Sequence, residues 1–561
     1  MRSLPFLILG ALAACSGGGT SSASTPTAPA GLTAIGSIQG SGAASPLAGD
    51  TVTLNAVVTG DFQDNDSDTS RNLGGFYVQG AADGDPATSD GIFVFDGVAP
   101  AIDVKPGDVV SVTGTLKEFF GETQVEADAV TVTGSGAVQP TAVDLPLDDF
   151  ERYEGMLVAF PQTLTVSQLR NLERFGEMRL SEGGRQYAYT NRSGPGVAGF
   201  SQHLDDVAAR RVTLDDGRRD QNPGTVRNVR NGDEVTGLTG VVRYSRGSGE
   251  FGIETYRLMP TIDPPFVSAN PRPGAPQVGG AIKVATFNAN NFFSTIDSGQ
   301  DNCGPGRNAS CRGADSALEL QRQLGKIVTV MQMMDADVVA LVELENNASA
   351  SLEAIVDALN AAAGRSSWNY VDAGTIGDDT IKVGFVYKPG TVLPAGAPAV
   401  LDSSIDPRFD DSRNRPVLAQ TFDTASGGER LTVLALHLKS KGSNCDLAGD
   451  PDLGDGQGNC SATRALASAA IIDWIATDPT GSGDPDFLVI GDFNSHTQGD
   501  AMTRFETAGY TNVGAALIGD SAYSFEFDGQ FGSLDHAVAT ASLAGQVVDA
   551  AEWHINADEA P

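Results

Sequence analysis

Phe487-Leu-Val-Ile-Gly-Asp492-Phe-Asn494-Ser-His496 is the stretch on which the reading of this 561-residue chain turns. Four apolar residues after the loop Gly481-Ser-Gly-Asp-Pro-Asp486 predict a short buried strand. Gly491 lets the backbone turn, and Asp492 and Asn494 follow at i and i+2. On an extended backbone that spacing sets both side chains on one face, at the rim of a sheet. A carboxylate there can hold a metal or take a proton from water, and a neutral amide beside it can donate to an oxyanion without adding repulsion. Taken alone, the pattern fits a solvated Gly/Asp/Asn turn as well as it fits a site.

Outward from that stretch, more apolar strands end on polar residues. Lys283-Val-Ala-Thr-Phe-Asn288 ends in an amide, Asp337-Val-Val-Ala-Leu-Val-Glu343 in a carboxylate, and Leu431-Thr-Val-Leu-Ala-Leu-His437 in a histidine followed by Lys439 and Lys441. Ile381 to Tyr387 reads as a strand, Arg413 and Arg415 precede Pro416 to Gln420, and Gly532-Ser-Leu-Asp535-His536 begins another strand. Apolar residues at helical spacing predict helices over Leu318 to Met334, Leu352 to Ala363 and Ala462 to Trp474, the last carrying Arg464. One polar strand end is unremarkable, but Asn288, Glu343, His437 and Asp492 with Asn494 in one module suggest a divalent cation, a proton-transferring histidine and amides for phosphoryl oxygens.

The rest of the chain divides by composition. With 67 Gly and 7% aromatic residues, it reads as loop-rich and largely β. The net charge of −35 excludes general attraction to polyanions, so any such ligand must meet local Arg/Lys clusters or bound cations. Residues 31–140 carry five alternating runs (51–58, 75–79, 91–95, 108–113, 123–132) and resemble an OB-fold. Phe76, Tyr77, Phe93, Phe95, Phe119 and Phe120 supply aromatics there, but Arg71, Lys105 and Lys117 are few cations for a nucleic-acid groove, so the aromatics are expected in the core. Asp61 to Asp68 (DFQDNDSD) lacks the glycine and glutamate of an EF-hand loop and is expected to be a solvated hairpin tip.

Residues 150–265 form a second β-rich module whose only cations are arginines. Arg210, Arg211, Arg218, Arg219, Arg227 and Arg230 crowd one stretch and present two readings, an auxiliary polyanion contact or internal pairing with equally numerous carboxylates. Residues 266–280 are a Pro/Gly linker, and 281–561 is the module in which the polar strand ends accumulate.

At the N-terminus, Arg2 precedes an apolar run too short to span a bilayer as a mature helix. Leu12-Ala-Ala-Cys15 looks like a bacterial lipobox, in which Cys15 becomes lipidated, and Ser16 fits outer-membrane sorting. Residues 1–15 are then a signal and 16–30 a flexible tether. Four cysteines remain as two local pairs, Cys303/Cys311 and Cys445/Cys460, expected as disulfides in an oxidising compartment. Closing a loop of about 15 residues contributes roughly 3 kcal/mol in the chain-entropy model. The loop Asp446 to Asp455 between two cysteines is the better candidate for structural Ca2+.

TFNANNFF (286–293), ALVELENN (340–347), IKVGFVYKPG (381–390), LALHLKSKGSNC (434–445), ATRALASAAIIDWI (462–475), VIGDFNSH (489–496), GSLDHAVAT (532–540) and WHINADE (553–559) together resemble the DNase I-like endonuclease/exonuclease/phosphatase superfamily. With YEGMLV (153–158), LDDG (214–217) and QNP (221–223), the whole chain after the tether is similar to secreted bacterial extracellular nucleases of the ExeM/NucH type. The resemblance implies a C-terminal four-layer α/β sandwich and metal-dependent phosphodiester hydrolysis of DNA or RNA at the cell surface or outside the cell. It implies Mg2+ or Mn2+ on Asn288 and Glu343, and His437 as an acid/base partner. Arg413, Arg415, Lys439, Lys441 and Arg464 would be substrate contacts. Asp492 would activate water, Asn494 stabilise the transition state, and Asp535 pair with a catalytic histidine. Such nucleases carry a further strand with Ser-Asp-His beyond the WHINADE segment, whereas Pro561 follows it here. Either His536 or His554 replaces that histidine, or the sandwich is short of its last strand and one proton carrier. Two other functions compete: a lipid-headgroup phosphodiesterase, and a surface nucleic-acid-binding protein with weakened catalysis.

Overall fold

The computed structural model describes residues 31–67, 71–221, 228–247 and 254–560. Cys15, the tether, Asp68 and Arg227 lie outside the described residues, as do Asn222 and Pro223 of the QNP motif. No helix among the described residues is long and apolar enough to cross a membrane.

The alternating runs of the first module become strands β1 (Thr51–Phe62), β2 (Gly75–Gln79), β3 (Gly91–Phe95), β4 (Asp108–Phe119) and β5 (Glu122–Ser135). They close into a barrel of order β1-β2-β3-β5-β4. One residue of each alternating pair fills the interior, among them Leu54, Phe76, Val94 and Val112. Tyr77 and Phe93 are also buried, against Phe62 and against Leu157, Val241 and Met259 of the next module. Phe119 and Phe120 stay exposed and meet edge to face at 4.7 Å. Barrel and second module touch backbone to backbone: a Cβ on Gly155, whose φ is +73°, would lie 2.6 Å from the nitrogen of Ile92. The close approach and the left-handed φ both require glycine.

In the second module, β6 (Thr141–Ala142), β7 (Leu157–Gln168), β8 (Met178–Ser181), β10 (Arg211–Leu214), β11 (Glu234–Ser245) and β12 (Thr255–Pro260) form one sheet of order β11-β12-β10-β8-β7-β6, curled until β11 also pairs with β7. Strand β9 (Gln186–Tyr187) leaves this sheet for the third module.

Of the two readings of the arginine stretch, the structure shows internal pairing. Arg219 holds Asp64 of the barrel, Arg211 reaches Asp528 of the third module at 3.1 Å, and Arg230 reaches Glu559 at 3.0 Å. Arg210 pairs with Glu182 and Asp206, and Arg218 with Asp220. Arg219, Arg211 and Arg230 thus join modules, while Arg210 and Arg218 pair within the second module. The hairpin-tip expectation for 61–68 is corrected at Asp64, which is buried beneath Arg219.

The third module is four layers deep. One sheet has the order β13 (Val284–Phe292), β16 (Val338–Glu345), β18 (Ile381–Tyr387) and β17 (Asn369–Tyr370). The other runs β19 (Val392–Leu401), β20 (Arg415–Thr424), β21 (Arg430–His437), β22 (Phe487–Asp492), β26 (Asp535–Ala539) and β23 (Thr511–Asn512). Their inner faces meet through Ala340, Val342, Phe385, Phe422, Val433 and Ile490. Helices Ala317–Met334 and Ala350–Ala363 cover the first sheet and Ser461–Ile475 and Asp500–Thr507 the second. Because both faces of β16, β18, β21 and β22 are covered, those strands are continuous apolar runs. Two hairpins complete the module: β14 (Asp301–Cys303) with β15 (Ala309–Ser310), and β24 (Phe525–Phe527) with β25 (Gln530–Gly532), on which β9 lies in parallel. Strand β13 is an edge of its sheet among the described residues, with Val284 to Asn288 half-buried.

Both expected disulfides are present, Cys303–Cys311 and Cys445–Cys460. The loop Asp446 to Asp455 does not gather its carboxylates around one point. Asp450 accepts from the backbone of Ala462 and Thr463 at the start of the following helix, and Asp455 accepts from Gln457. Among the described residues, three acidic ligand atoms come within 4.8 Å of one another only at Asp61, Asp66 and Asp103, on the barrel.

Candidate active site

Strand register builds the site. In the second sheet Arg415 pairs with His437, His437 with Asp492, and Asp492 with Asp535. Four polar residues therefore form one row across four neighbouring strands, at the end where the apolar run of each stops. Gly491 lets β21 and β22 come this close: a Cβ there would lie 2.2 Å from the carbonyl oxygen of Leu436, at a φ of +140°. The facing sheet contributes Asn288 and Glu343 from the paired strands β13 and β16. All of these line, or lie beside, a cleft of about 1830 Å³.

Short hydrogen bonds fix the acidic groups. Glu343 accepts from the Asn288 amide at 3.3 Å and from the backbone N–H of Asn291 at 3.0 Å. Asp492 accepts from the backbone N–H of Asn494 at 2.7 Å, and the Asn494 amide donates to the carbonyl of Leu438 at 3.0 Å. Asn290, Asn291, Glu343 and Asn494 all hold positive φ, four of the twelve non-glycine cases among the described residues. A left-handed glutamate costs energy, and clustering of such residues at one place is characteristic of sites where strain aims side chains.

His437 Nε2 lies 3.7 Å from Asp492 Oδ2 and 3.5 Å from Arg415 Nη1. Arg415 is itself held by Asp379 at 3.2 Å. Burial, then Arg415 and Lys439, push the His437 pKa well below its ordinary value, so the imidazole is held neutral and able to accept a proton. Burial, then the neighbouring Asp535 and the more distant Glu343, push Asp492 far up. Asp535, buried and facing Glu552 and Glu343, is raised to about 6. Its Oδ1 has no hydrogen-bond partner in the interior. Two carboxyls with raised pKa values, one carrying an orphaned oxygen, form with nearby Glu343 an oxygen donor set that fits a hard divalent cation.

The remaining expected residues divide. Lys439 borders this row, and burial lowers its pKa. Lys441 is lowered to about 7 by burial and by Arg464, and its Nζ lies 3.0 Å from His496 Nδ1. Three expectations are corrected. Arg464 is buried and donates to the carbonyls of Lys439, Asn459 and Gln457 at 2.7–3.0 Å, holding the disulfide loop instead of a substrate. Arg413 is turned to Asp410 at 3.2 Å and to the Cys445 sulfur. His536 points away from Asp535, as neighbours on a strand do, and is fixed between the carbonyl of Ser495 at 2.8 Å, Asn512 and the edge of Phe493. His554 stacks on Tyr523 with ring centroids 3.7 Å apart. Its Nε2 lies 3.2 Å from Glu552, and among the described residues Asp535 makes no hydrogen bond to a histidine. Ser524 takes that place, its hydroxyl accepting the backbone N–H of Asp535 at 3.0 Å.

The second module also enters the wall of the cleft, which sequence reasoning missed. After β9, Ala188 donates to the carbonyl of Phe531 and Gln498 donates to that of Thr190, each at 2.8 Å. The Thr190 hydroxyl meets His496 Nδ1 at 2.9 Å. Asn191 accepts from the backbone of Ser533 at 3.0 Å, two residues before Asp535. Only His496 gave a signal, as a histidine two residues past Asn494. Thr190 and Asn191 gave none.

Residues 285–552 match the model of the Endonuclease/Exonuclease/phosphatase family. Among curated proteins, none matches the chain. Solved structures with a likeness include the human Nocturnin catalytic domain with bound sulfate anion, at 11% identity over 40% of this chain and 76% of that one, TM-score 0.29. The mannosyl-6-phosphatase Bt3783 of Bacteroides thetaiotaomicron VPI-5482 is 14% identical over 46% and 86%, TM-score 0.31. TDP2 of D. rerio complexed with single strand DNA product is 15% identical over 40% and 79%, TM-score 0.28. Such low identities and TM-scores say nothing about what this chain acts on. The family match and the row of strand-end residues fall on the same segment, and residues 285–552 are similar to the Endonuclease/Exonuclease/phosphatase family.

Proposed function

We propose that this protein is a metal-dependent phosphodiesterase that cleaves polynucleotides, DNA and by the same chemistry RNA, at the bacterial cell surface or outside the cell. The observation that carries this reading is the Arg415–His437–Asp492–Asp535 row, whose Asp492 and Asp535 line one cleft with Glu343 and Asn288. Glu343 and Asn288, with Asp492 and Asp535 opposite, are the oxygen donors for Mg2+ or Mn2+. A cation held there would lower the pKa of bound water and neutralise phosphoryl charge.

The chain's own residues account for the rest. Asp492 orients the attacking water, and the neutral His437, 3.7 Å from Asp492, accepts its proton. Arg415, fixed by Asp379, is placed to take a phosphoryl oxygen with its free donors. Asn494 keeps one amide hydrogen on Leu438 and has another for the charge that develops at phosphorus. Lys439 at the rim meets the neighbouring phosphate.

A second reading has one observation in its favour: Asp535 faces Ser524 and Glu552 rather than a second histidine. This would suit a surface protein that binds nucleic acid and turns it over slowly. Nicking of supercoiled plasmid with Mg2+, Mn2+ or Ca2+, compared with Asp492→Asn, decides between them. Cleavage lost in the variant supports the hydrolase, and retention of plasmid without nicking under every metal supports the binding protein. The location rests on the Leu12-Ala-Ala-Cys15 pattern, tested by palmitate incorporation that Cys15→Ser abolishes.

A further inference from the structure

We infer that the second module carries a flanking-nucleotide subsite, in which Arg192 takes a phosphate and Tyr189 a base of the strand being cut. The inference rests on the polynucleotide reading above and names where that polymer continues once it leaves the cleft. Beside the cleft lies a hollow of about 400 Å³ lined by Arg185, Tyr187, Tyr189, Arg192, His203 and Arg210. Ala188 and Tyr189 line both spaces, so a chain leaving the cleft on this side crosses them directly. The volume suits one nucleotide.

The chemistry of the lining is uneven, and this singles out two residues. Arg210 is neutralised by Glu182 and Asp206, and Arg185 is spent on Asp558 at 3.3 Å and on the carbonyl of Asn231. Asp206 also lines the hollow, so its inner end repels an anion. Arg192 differs. It is exposed, and its guanidinium lies 3.7 Å over the ring of Tyr187. Its partner is the carbonyl of Asp520 at 3.1 Å, with no carboxylate among the described residues. Stacked on the Tyr187 ring, hydrogen-bonded to Tyr187 and held by the Asp520 carbonyl, it is preorganised, and its remaining donors can meet a phosphate.

Tyr189, at the boundary, is braced by Phe200 at 5.9 Å and His203 at 5.7 Å. An aromatic ring at such a threshold stacks a base of any identity. Elsewhere the cleft lining mixes acids such as Asp452, Asp486 and Asp549 with cations such as Lys283 and Arg430. The β9–β25 pairing and the Asn191–Ser533 bond hold this wall rigidly against the strand of Asp535, so a nucleotide bound here also registers the scissile phosphate.

The test compares a 20-nucleotide single strand with bis(4-nitrophenyl) phosphate, a diester that ends inside the cleft. For Arg192→Glu in the full chain, the ratio of oligonucleotide to small-diester kcat/KM should fall about tenfold. The slope of log KM against log salt should drop by about 0.7, one phosphate contact on a single strand. Tyr189→Ala should lower the same ratio without changing the salt slope. If the ratio and the slope stay at wild-type values in Arg192→Glu, or both substrates decline equally, the subsite is refuted. Absence of cleavage of either diester by the wild type refutes the hydrolase reading instead. The subsite is then decided by fluorescence anisotropy: Arg192→Glu weakens binding of the labelled oligonucleotide about tenfold, or the subsite falls.

Discussion

Two groups of carboxylates on this chain invite comparison. Asp61, Asp66 and Asp103 on the barrel bring ligand atoms within 4.8 Å of one another, tighter than any other acidic trio among the described residues. Glu343, Asp492 and Asp535 are more widely spread, yet each stands at or near the end of an apolar strand and is at least half-buried, with Asp492 beside His437 and Asn494. The barrel group lies on loops and at a strand end, with Asp103 exposed. The difference teaches that proximity of charge is a poor guide to chemistry. A site needs acids whose positions are imposed by strand register and whose neighbours can move protons.

The largest effect expected is on turnover. Asp492→Asn should cost about 10⁴-fold in kcat, the upper end for loss of an acid/base group. Asp61→Asn and Asp66→Asn should leave kcat within about twofold of wild type. The same Asp492→Asn variant should unfold no earlier than wild type without metal, because the lost charge is one that burial and Asp535 disfavour. A sharp fall in its Tm would show that Asp492 holds the fold together and would weaken the comparison. His437→Gln comes next, with a loss of about 10²- to 10³-fold in single-turnover rate.

A metal titration addresses the comparison from the other side. At 100 times Kd, Mn2+ or Mg2+ should stabilise the wild type by about 2.7 kcal/mol. Glu343→Gln should lose most of that gain and Asp103→Asn none of it. Calorimetry showing the opposite pattern would transfer the metal site to the barrel.

The smallest effect concerns an acid outside both groups. Glu154 lies between barrel and second module, accepting from the backbone of Thr123 at 2.9 Å, and burial followed by Glu122 raises its pKa to about 9. A carboxyl raised above its unfolded value stabilises fully below pH 4.5 and loses that contribution as pH rises toward 9. Wild type should therefore lose stability between pH 5 and 8 relative to Glu154→Gln, by on the order of 2 kcal/mol. Parallel denaturation curves for the two proteins at both pH values would remove the assigned cause.

Much of this architecture was legible in local pattern. The runs at 51–58, 75–79 and 91–95 alternate as half-buried strands do, and the helices at 318–334, 352–363 and 462–474 repeat at helical spacing and fall within one or two residues of the observed bounds. The strand ends Asn288, Glu343, His437 and Asp492 could be picked out because a polar residue stopping a long apolar run is conspicuous in one dimension. Orientation and partnership were not. Whether His536 or Asp535 faces the cleft depends on which side of β26 is inside. Arg464 looks like any substrate arginine until the carbonyls of residues 439 to 459 fold around it. Thr190 meets His496 across 306 positions of chain, a relation that no local period encodes.

The segment that follows β9 gives the protein a division of labour. Residues 285–552 match the Endonuclease/Exonuclease/phosphatase family model, while Ala188 to Asn191, outside that match, supply part of the wall beside them. A lineage can thus retune which substrates are admitted by altering the second module, leaving the bond-breaking residues as they are. On the proposed function, a fragment excised as 281–561 should keep the row of strand-end residues and lose the part of the wall that Thr190 and Asn191 supply.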